Sequence, residues 1–314
     1  MNAQAAVSLR ERLTTGFGSM PRRRCWVRWF VGNERFGRDC LRSAKGRPRR
    51  IVTWCSSVSH PVRHALYDKP DLPQKSLHRF RGSRLPIIAT AAWSIPRSVA
   101  AAFPEEGSGL ARYASVFNGV EVNSTFYRRH KTSTFERWAG TTPESFPFAV
   151  KLPKEITHQH AMKNIRQPFE VFLQHISGLG DKRGPLLCQL PPSLRFDPEN
   201  FEAAFDTMRT LDQGPMVIEP RHKSWASEYA IALLQRYSID RVLADPALVW
   251  PASDFRQQPR YVRLHGKPKI YYSSYSDAEM SMFSKLLGPD SWCVFDNTAS
   301  GAAIENALTM LGRR

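Results

Sequence analysis

Five acidic or imidazole side chains stand where short apolar runs of the sequence end. They are Glu121, Glu219, His222, Asp245 and His265. Such groups transfer protons in enzymes, because burial raises the pKa of a carboxyl group and an imidazole titrates near neutral pH. We therefore expect all five to be catalytic, with Glu121 and Glu219 as an acid–base pair. His222 and His265 would shuttle protons or hold the substrate.

The same five side chains are also ligands that a divalent metal ion takes in proteins. A metal site built from them is a second hypothesis, which rests on analogy with other enzymes. A nucleotide cofactor is not expected. Gly178, Gly180 and Gly184 have the wrong spacing for a dinucleotide-binding fingerprint, and they precede an apolar run instead of following one.

A second group of residues near the same run ends could bind a substrate. The group consists of Trp93, Asn123, Tyr127, Lys151, His158, Gln189, Arg221, Trp225, Arg263, Tyr272, Asn297 and Gly301. Its aromatic side chains could stack on a ring, a sugar or a base. Two alternatives stay open: the aromatics could be core or rim packing, and the strand charges could form an internal salt-bridge network. Those charges are Glu121, Lys151, Glu219 and Arg263.

Eight short apolar runs alternate with helical patterns from residue 85 onward. The runs cover residues 86–91, 119–122, 146–152, 185–190, 216–218, 241–244, 261–264 and 292–295. Apolar strands separated by helices predict a parallel sheet buried on both faces, and eight of them in about 230 residues suit a (β/α)8 barrel. An open doubly wound sheet is the runner-up. Such barrels place their chemistry at the carboxyl ends of the strands, where the residues above fall.

Three helix starts are predicted from capping patterns. They are Ser133 with Glu136 and Ser276 with Glu279 as capping boxes, and Asp197 before Pro198. Residues 245–261 contain no convincing helical pattern. We therefore expect one unit of the barrel to be irregular.

The last two barrel units predict an anion site. Residues 297–301 are mostly small and lead into a helical pattern, so backbone N–H groups and the positive end of the helix dipole would face a ligand. Lys267 and Lys269 add positive charge in the preceding loop. Phosphate sites in such barrels form at these two positions. The alternative is an ordinary helix cap beside solvated lysines.

Most of the positive charge lies in residues 1–84. This segment holds 19 Lys+Arg and 5 Asp+Glu, a net charge of +14 out of the total of +17. Its aromatic residues follow no helix or strand period, so we expect a poorly structured basic extension over 1–84 and a barrel over 85–314. The extension could be an arm that contacts nucleic acid or acidic partners, an organelle targeting sequence, or non-native sequence from a mis-assigned start codon.

The chain lacks the sequence features of a membrane or secreted protein. No run of eighteen apolar residues exists, and Arg28 interrupts the one candidate for a signal peptide core. We expect a cytoplasmic protein without a membrane partner. The sequence contains no indication of oligomeric state.

The strand-end clusters resemble those of the YecE-like family, domain of unknown function 72, over about residues 87–312. The matching motifs are Trp93-Ser94, residues 120–127, residues 148–151 with 156–158, residues 189–193, residues 219–222 with Trp225, Ala244-Asp245, residues 263–266 with 271–273, and Asn297 with Gly301 and Asn306. The resemblance implies a (β/α)8 barrel with a pocket, but no established activity. Ala89 and Ala92 stand where the family usually has glycine, and their methyl groups would narrow that corner of the pocket.

Taken together, these patterns favour an enzyme, namely a hydrolase, lyase or isomerase, with hydrolase-like chemistry preferred. Its substrate would be a small phosphorylated or otherwise anionic molecule. The alternative is a nucleic-acid-binding barrel without turnover, in which arginines contact phosphates and aromatic side chains stack on bases.

Overall fold

The computed structural model describes residues 85–312, which form eight parallel β-strands and the helices between them. The strands are β1 (Ile87–Thr90), β2 (Val120–Val122), β3 (Phe148–Lys151), β4 (Arg183–Gln189), β5 (Met216–Glu219), β6 (Asp240–Asp245), β7 (Tyr261–Leu264) and β8 (Trp292–Phe295). The α-helices are α1 (Gly109–Ala114), α2 (Thr132–Thr141), α3 (Arg166–Ile176), α4 (Pro198–Leu211), α5 (Glu228–Arg236), α6 (Asp277–Leu286) and α7 (Ala302–Gly312). The extension predicted over residues 1–84 lies outside the described residues.

The strands pair in parallel in the order β1-β8-β7-β6-β5-β4-β3-β2. β1 and β2, at the two ends of this order, contact each other. The sheet is therefore a nearly closed (β/α)8 barrel, and the predicted fold class is confirmed. Among the described residues, no helix is long and apolar enough to cross a membrane.

Side chains join β1 to the segment that leads into β2. Ile88 N donates to Asn118 Oδ1 at 2.8 Å, and Thr90 N donates to the Tyr113 hydroxyl at 3.0 Å. The Tyr113 hydroxyl in turn donates to Gly119 O at 3.2 Å. These contacts satisfy backbone groups of β1 that would otherwise be buried without a partner.

The inside of the barrel has an apolar layer below a polar one. The apolar layer consists of Ala89, Ala91, Ala149, Leu187, Val217, Val242, Tyr261, Trp292 and Val294. Side chains two residues apart on a strand share a face. The inward positions two residues further along β3, β4, β5 and β7 are accordingly Lys151, Gln189, Glu219 and Arg263, all of them buried. The strand period thus places the polar side chains at the carboxyl ends of the strands.

Two of the three predicted helix starts are confirmed. Asp197 caps α4, and Ser276 forms a capping box with Glu279 at α6. The capping box predicted at Ser133 is wrong. Helix α2 begins at Thr132, and the side chain of its N-cap residue, Lys131, makes no capping hydrogen bond. The irregular unit is confirmed: between β6 and β7 the chain forms only a short 3-10 turn at Ala252–Asp254.

Candidate functional site

A fully buried arginine binds three carboxylates at the centre of the barrel. Arg263 Nη2 lies 2.8 Å from Glu121 Oε1 and 2.9 Å from Asp296 Oδ2, and Nη1 lies 2.6 Å from Glu219 Oε2. Tyr261 adds a hydrogen bond to Glu121 Oε2 at 2.8 Å. Buried carboxylates without a cationic partner would not stay ionised. The ion pairs with Arg263 therefore stabilise the ionised form of the three carboxylates. Arg263, Glu121, Glu219 and Asp296 thus form an internal salt-bridge network, the alternative left open for the charged strand residues.

His265 lies between two of these carboxylates. Its Nδ1 lies 3.0 Å from Asp296 Oδ2. Its Nε2 lies 3.2 Å from Glu219 Oε1, close enough for an ion pair but without a hydrogen bond in this geometry. Burial would lower the pKa of the imidazole, but Glu219 and Asp296 outweigh burial and raise the pKa above its usual value. The two carboxylates therefore favour the imidazolium form of His265 over the neutral form.

The two glutamates do not form the acid–base pair that the sequence suggested. Glu121 is completely buried, and its oxygens accept hydrogen bonds from Arg263 and Tyr261, so a substrate cannot reach it. Burial would raise the pKa of the Glu219 carboxyl, but Arg263, His265 and Arg221 hold it well below its usual range. Glu219 therefore stays ionised and positions its cationic neighbours.

A cationic group stands beside this network. Lys151 Nζ lies 4.4 Å from the centroid of the Phe126 ring. The lysine has no carboxylate within 4.0 Å among residues 85–312. Burial and then Arg263 lower the pKa of Lys151 to about 8, although Asp296, Glu121 and Glu219 oppose this shift. Lys151 is thus the strand charge that the salt-bridge network leaves out.

Arg221 is the second cation of this group, and its charge and that of Lys151 act on His158. Burial, followed by the charges of Lys151, Lys154 and Arg221, lowers the pKa of His158. Arg221 Nε and Nη2 donate to Glu219 Oε1 at 3.2 and 3.1 Å, and Nη2 also donates to the Tyr271 hydroxyl at 3.2 Å. Its Nη1 makes no hydrogen bond within the described part of the chain. The N–H groups of Nη1 are therefore available to an anion.

Two amides hold the carboxylates in place. Gln189 Nε2 donates to Glu219 Oε1 at 2.9 Å, and Asn123 Nδ2 donates to Asp296 Oδ1 at 3.2 Å. The sequence placed both amides in the substrate-binding group. In the structure they fix Glu219 and Asp296, and so they fix the two groups that hold His265.

Sequence reasoning missed two residues of this site. Asp296 directly follows β8 and orients His265, yet it was not among the predicted site residues. Tyr271 packs edge-on against the His265 ring at a centroid distance of 5.8 Å and adopts a φ of +71°. A left-handed backbone at a tyrosine is rare and typical of functional sites. The position of Asp296 at a strand end was the signal that could have identified it.

Several predicted site residues lie elsewhere. Trp225 was predicted to bind substrate, but it is completely buried between Phe196 and Phe201, where a ligand cannot contact it. His222 Nδ1 accepts from Ser224 N and caps the turn at Lys223–Ala226. Trp225 therefore packs in the core and His222 caps a turn. Neither side chain belongs to the charged network around Arg263.

The remaining aromatic predictions concern the rim. Trp93 packs edge-on against Trp138 at 5.0 Å. Tyr127 is 81% exposed, and Tyr272 is half-exposed beneath the Lys269 ammonium, which lies 4.1 Å from its ring centroid. These side chains surround the mouth of the barrel without meeting at one point.

The anion site predicted at residues 297–301 is not supported by the loop geometry. Ala299 N donates to Tyr271 O, Gly301 N to Thr298 O and Ala303 N to Asn297 O, so these amides are not free. Asn297 is buried, and its Nδ2 donates to Ser273 O and Asn306 Oδ1. The amides of Ala299 and Gly301 within this loop are therefore occupied.

The lysines of the preceding loop are also occupied. Lys267 Nζ lies 3.4 Å from Asp245 Oδ1 and 3.1 Å from Glu279 Oε1. Lys269 stacks on Tyr272. Both lysines that were expected to attract an anion there therefore have other partners. The available cationic groups are instead those of Lys151, at the end of β3, and Arg221, just after β5.

The five residues predicted as metal ligands do not form a metal site. Asp245 pairs with Lys267, His222 caps a turn, and Glu121 is committed to Arg263 and Tyr261. Within residues 85–312, no group of three or more His, Cys, Asp or Glu side chains is arranged to hold a metal ion. Of the five, Glu121 and Glu219 are bound by Arg263 instead.

Residues 87–313 match the family described as "Protein of unknown function DUF72". The chain belongs to the DUF72 family. It is 28% identical over 189 residues to UPF0759 protein YecE of Escherichia coli K12, covering 58% of this chain and 67% of that protein. It is 25% identical over 241 residues to UPF0759 protein YunF of Bacillus subtilis 168, covering 64% of this chain and 85% of that protein.

A solved structure of a DUF72 protein has the same fold. The crystal structure of the DUF72 protein of Thermotoga maritima MSB8 superimposes with a TM-score of 0.63 at 24% identity, covering 73% of this chain and 98% of that one. This likeness shows the same fold, and the match over residues 87–313 confirms the predicted family.

Ala89 and Ala92, where the resemblance implied glycine, occupy different environments. Ala89 is completely buried inside the barrel, whereas Ala92 adopts a φ of +143°, a conformation that favours glycine. The backbone conformation at position 92 would therefore suit glycine better than alanine. At position 89 the added methyl group fills space in the apolar layer.

Proposed function

We propose that this DUF72 protein is an acid–base enzyme acting on a small anionic substrate at the barrel mouth. Arg221 and Lys151 would hold the anionic group, and His265 would transfer a proton. Hydrolase, lyase and isomerase reactions all use such a proton transfer.

The observation that supports this proposal most strongly is the state of His265. Asp296 Oδ2 holds Nδ1, and the buried Nε2 lies 3.2 Å from Glu219 Oε1 without an aligned hydrogen bond. A buried N–H whose hydrogen bonding is incomplete is costly, and such a group in a native structure calls for an explanation such as a catalytic role. The pairing also favours the protonated imidazole, so Nε2–H is ready to donate to a substrate atom that gains negative charge.

The anionic character of the substrate follows from the unpaired cations. Neither Arg221 Nη1 nor Lys151 Nζ makes a hydrogen bond within residues 85–312, whereas Arg263 is saturated by carboxylates. An anion bound to these two groups would lie beside Glu219 and therefore close to His265. Arg221 also contacts Tyr271, which would align the guanidinium at the rim.

A turnover screen in D2O tests the proposal. The full-length protein is incubated with a panel of phosphorylated and carboxylated metabolites, and proton and phosphorus NMR report product formation or deuterium incorporation. His265→Gln should abolish the reaction found with the wild type, because glutamine cannot transfer the proton. Tyr229→Phe, at an exposed tyrosine on α5, is the matched control and should keep full activity. A His265→Gln protein as active as the wild type would contradict the role of His265.

A further inference from the structure

A cavity opens beside His265 at the carboxyl ends of β5, β6 and β7. Its volume is about 430 Å³, including the part open to solvent. Its lining consists of Glu219, Pro220, Arg221, Val242, Ala244, Pro246, Leu248, Val249, Trp250, His265 and Ile270.

The cavity is strongly asymmetric in polarity. Its charged lining residues are Glu219, Arg221 and His265, all from the site described above. The remaining lining residues are apolar. A polyhydroxylated ligand would leave its hydroxyl groups without partners against this wall, at a cost for each group. The wall instead suits an apolar or aromatic group.

The apolar wall exists because the β6–β7 unit has no α-helix. The segment after β6 supplies Pro246, Leu248, Val249 and Trp250 to the cavity. Leu248 and, from the next loop, Ile270 are 51% and 39% exposed. These two large apolar side chains expose apolar surface to water beside one cavity. A ligand with an apolar group would cover that surface.

One polar atom in the apolar wall also lacks a partner. Trp250 is buried, and no acceptor for its Nε1–H lies within the part of the chain that the structure describes. An indole N–H usually finds a partner when buried. A ligand with a single acceptor at its apolar end would satisfy it.

We propose that this cavity binds the apolar part of the substrate, so that the substrate is an amphipathic anion: an aromatic or branched aliphatic group attached to a phosphate or carboxylate. The inference rests on the proposed function, because the anionic end would occupy Arg221 and Lys151. It goes further by excluding sugar phosphates as the preferred class.

Calorimetry on the full-length protein tests this inference with three probes: inorganic phosphate, phenyl phosphate and neutral benzyl alcohol. Phenyl phosphate should bind about tenfold or more tightly than inorganic phosphate, because the ring is removed from water. The double variant Leu248→Ser/Ile270→Ser should bring the two affinities together. Tyr229→Ser, an exposed tyrosine elsewhere on the barrel, is the control and should keep the wild-type ratio.

The outcomes separate the cavity from the anion site. Equal wild-type affinities for phosphate and phenyl phosphate would overturn the cavity proposal while leaving the anion site intact. An unchanged ratio in the double variant would also overturn it. If phosphate fails to bind but benzyl alcohol binds and is lost in the double variant, the cavity is supported and the anion site is contradicted. If neither aromatic probe binds, the cavity proposal is wrong.

Discussion

At the scale of single residues, Lys151 and Arg263 are two buried cations at inward strand positions with opposite roles. Arg263 is saturated by three carboxylates, whereas Lys151 keeps its ammonium group without one. Arg263 therefore fixes the site, and Lys151 remains available to a ligand. The two types of side chain suit these tasks, since the guanidinium binds several carboxylates at once and the ammonium changes its pKa readily on burial.

Sulfate binding should depend on pH through Lys151. The pKa of this lysine is lowered to about 8, so its positive charge is present below that pH and lost above it. Sulfate keeps a constant charge over this range, and its affinity should fall about tenfold between about pH 7 and about pH 9.5. In Lys151→Met the fall should be much smaller, because the ammonium group that titrates near pH 8 is absent. Calorimetric titrations at several pH values would measure both proteins, and an equally steep fall in the variant would contradict the role of Lys151.

Replacing Arg263 should destabilise the protein strongly. Arg263→Met leaves Glu121, Glu219 and Asp296 buried without their cation, which should cost about 3–5 kcal/mol of unfolding free energy. The matched control is Arg236→Met, which breaks the exposed pair with Glu202 and should cost less than about 1 kcal/mol. Urea denaturation measures both. Similar losses in the two variants would mean that the buried network contributes no more than a surface ion pair.

At the scale of elements, the strands were predictable and the loops were not. A period of two along β3, β4, β5 and β7 placed the polar side chains inside the carboxyl end of the barrel. Free amides were expected at residues 297–301, but Ala299 N donates to Tyr271 O, which belongs to another loop. Trp225 was misplaced because a short turn at Lys223–Ala226 directs it into the helix layer. Such contacts depend on tertiary packing, which local patterns do not contain.

The seam between β1 and β2 should depend on one hydroxyl group. Tyr113→Phe removes the acceptor of Thr90 N and leaves a buried backbone N–H unpaired. We expect a loss of about 1–3 kcal/mol in unfolding free energy. Tyr229→Phe removes an exposed hydroxyl and serves as the control. Denaturant unfolding would measure the difference, and equal stability of Tyr113→Phe and the wild type would show that the seam does not need this bond.

At the scale of the whole molecule, the barrel explains why the net charge of +17 is a poor guide to function. Residues 85–314 contribute only +3 of it, and the fully buried Arg263 is bound by three carboxylates. Local geometry indicates where an anion could bind, over β3 and β5. Binding of one small anion there should depend modestly on salt, whereas a nucleic-acid-binding barrel would lose affinity steeply as salt rises.

The affinity of the full-length protein for inorganic phosphate, with and without Arg221, tests the central claim most directly. Isothermal titration at fixed pH and salt compares the wild type with Arg221→Gln. Arg236→Gln, at an exposed arginine on α5, is the control. We predict saturable binding of one phosphate by the wild type and the control, and a loss of about tenfold or more in Arg221→Gln. Phosphate binding that is unaffected by Arg221→Gln, or no binding to the wild type, would contradict an anion site at the barrel mouth.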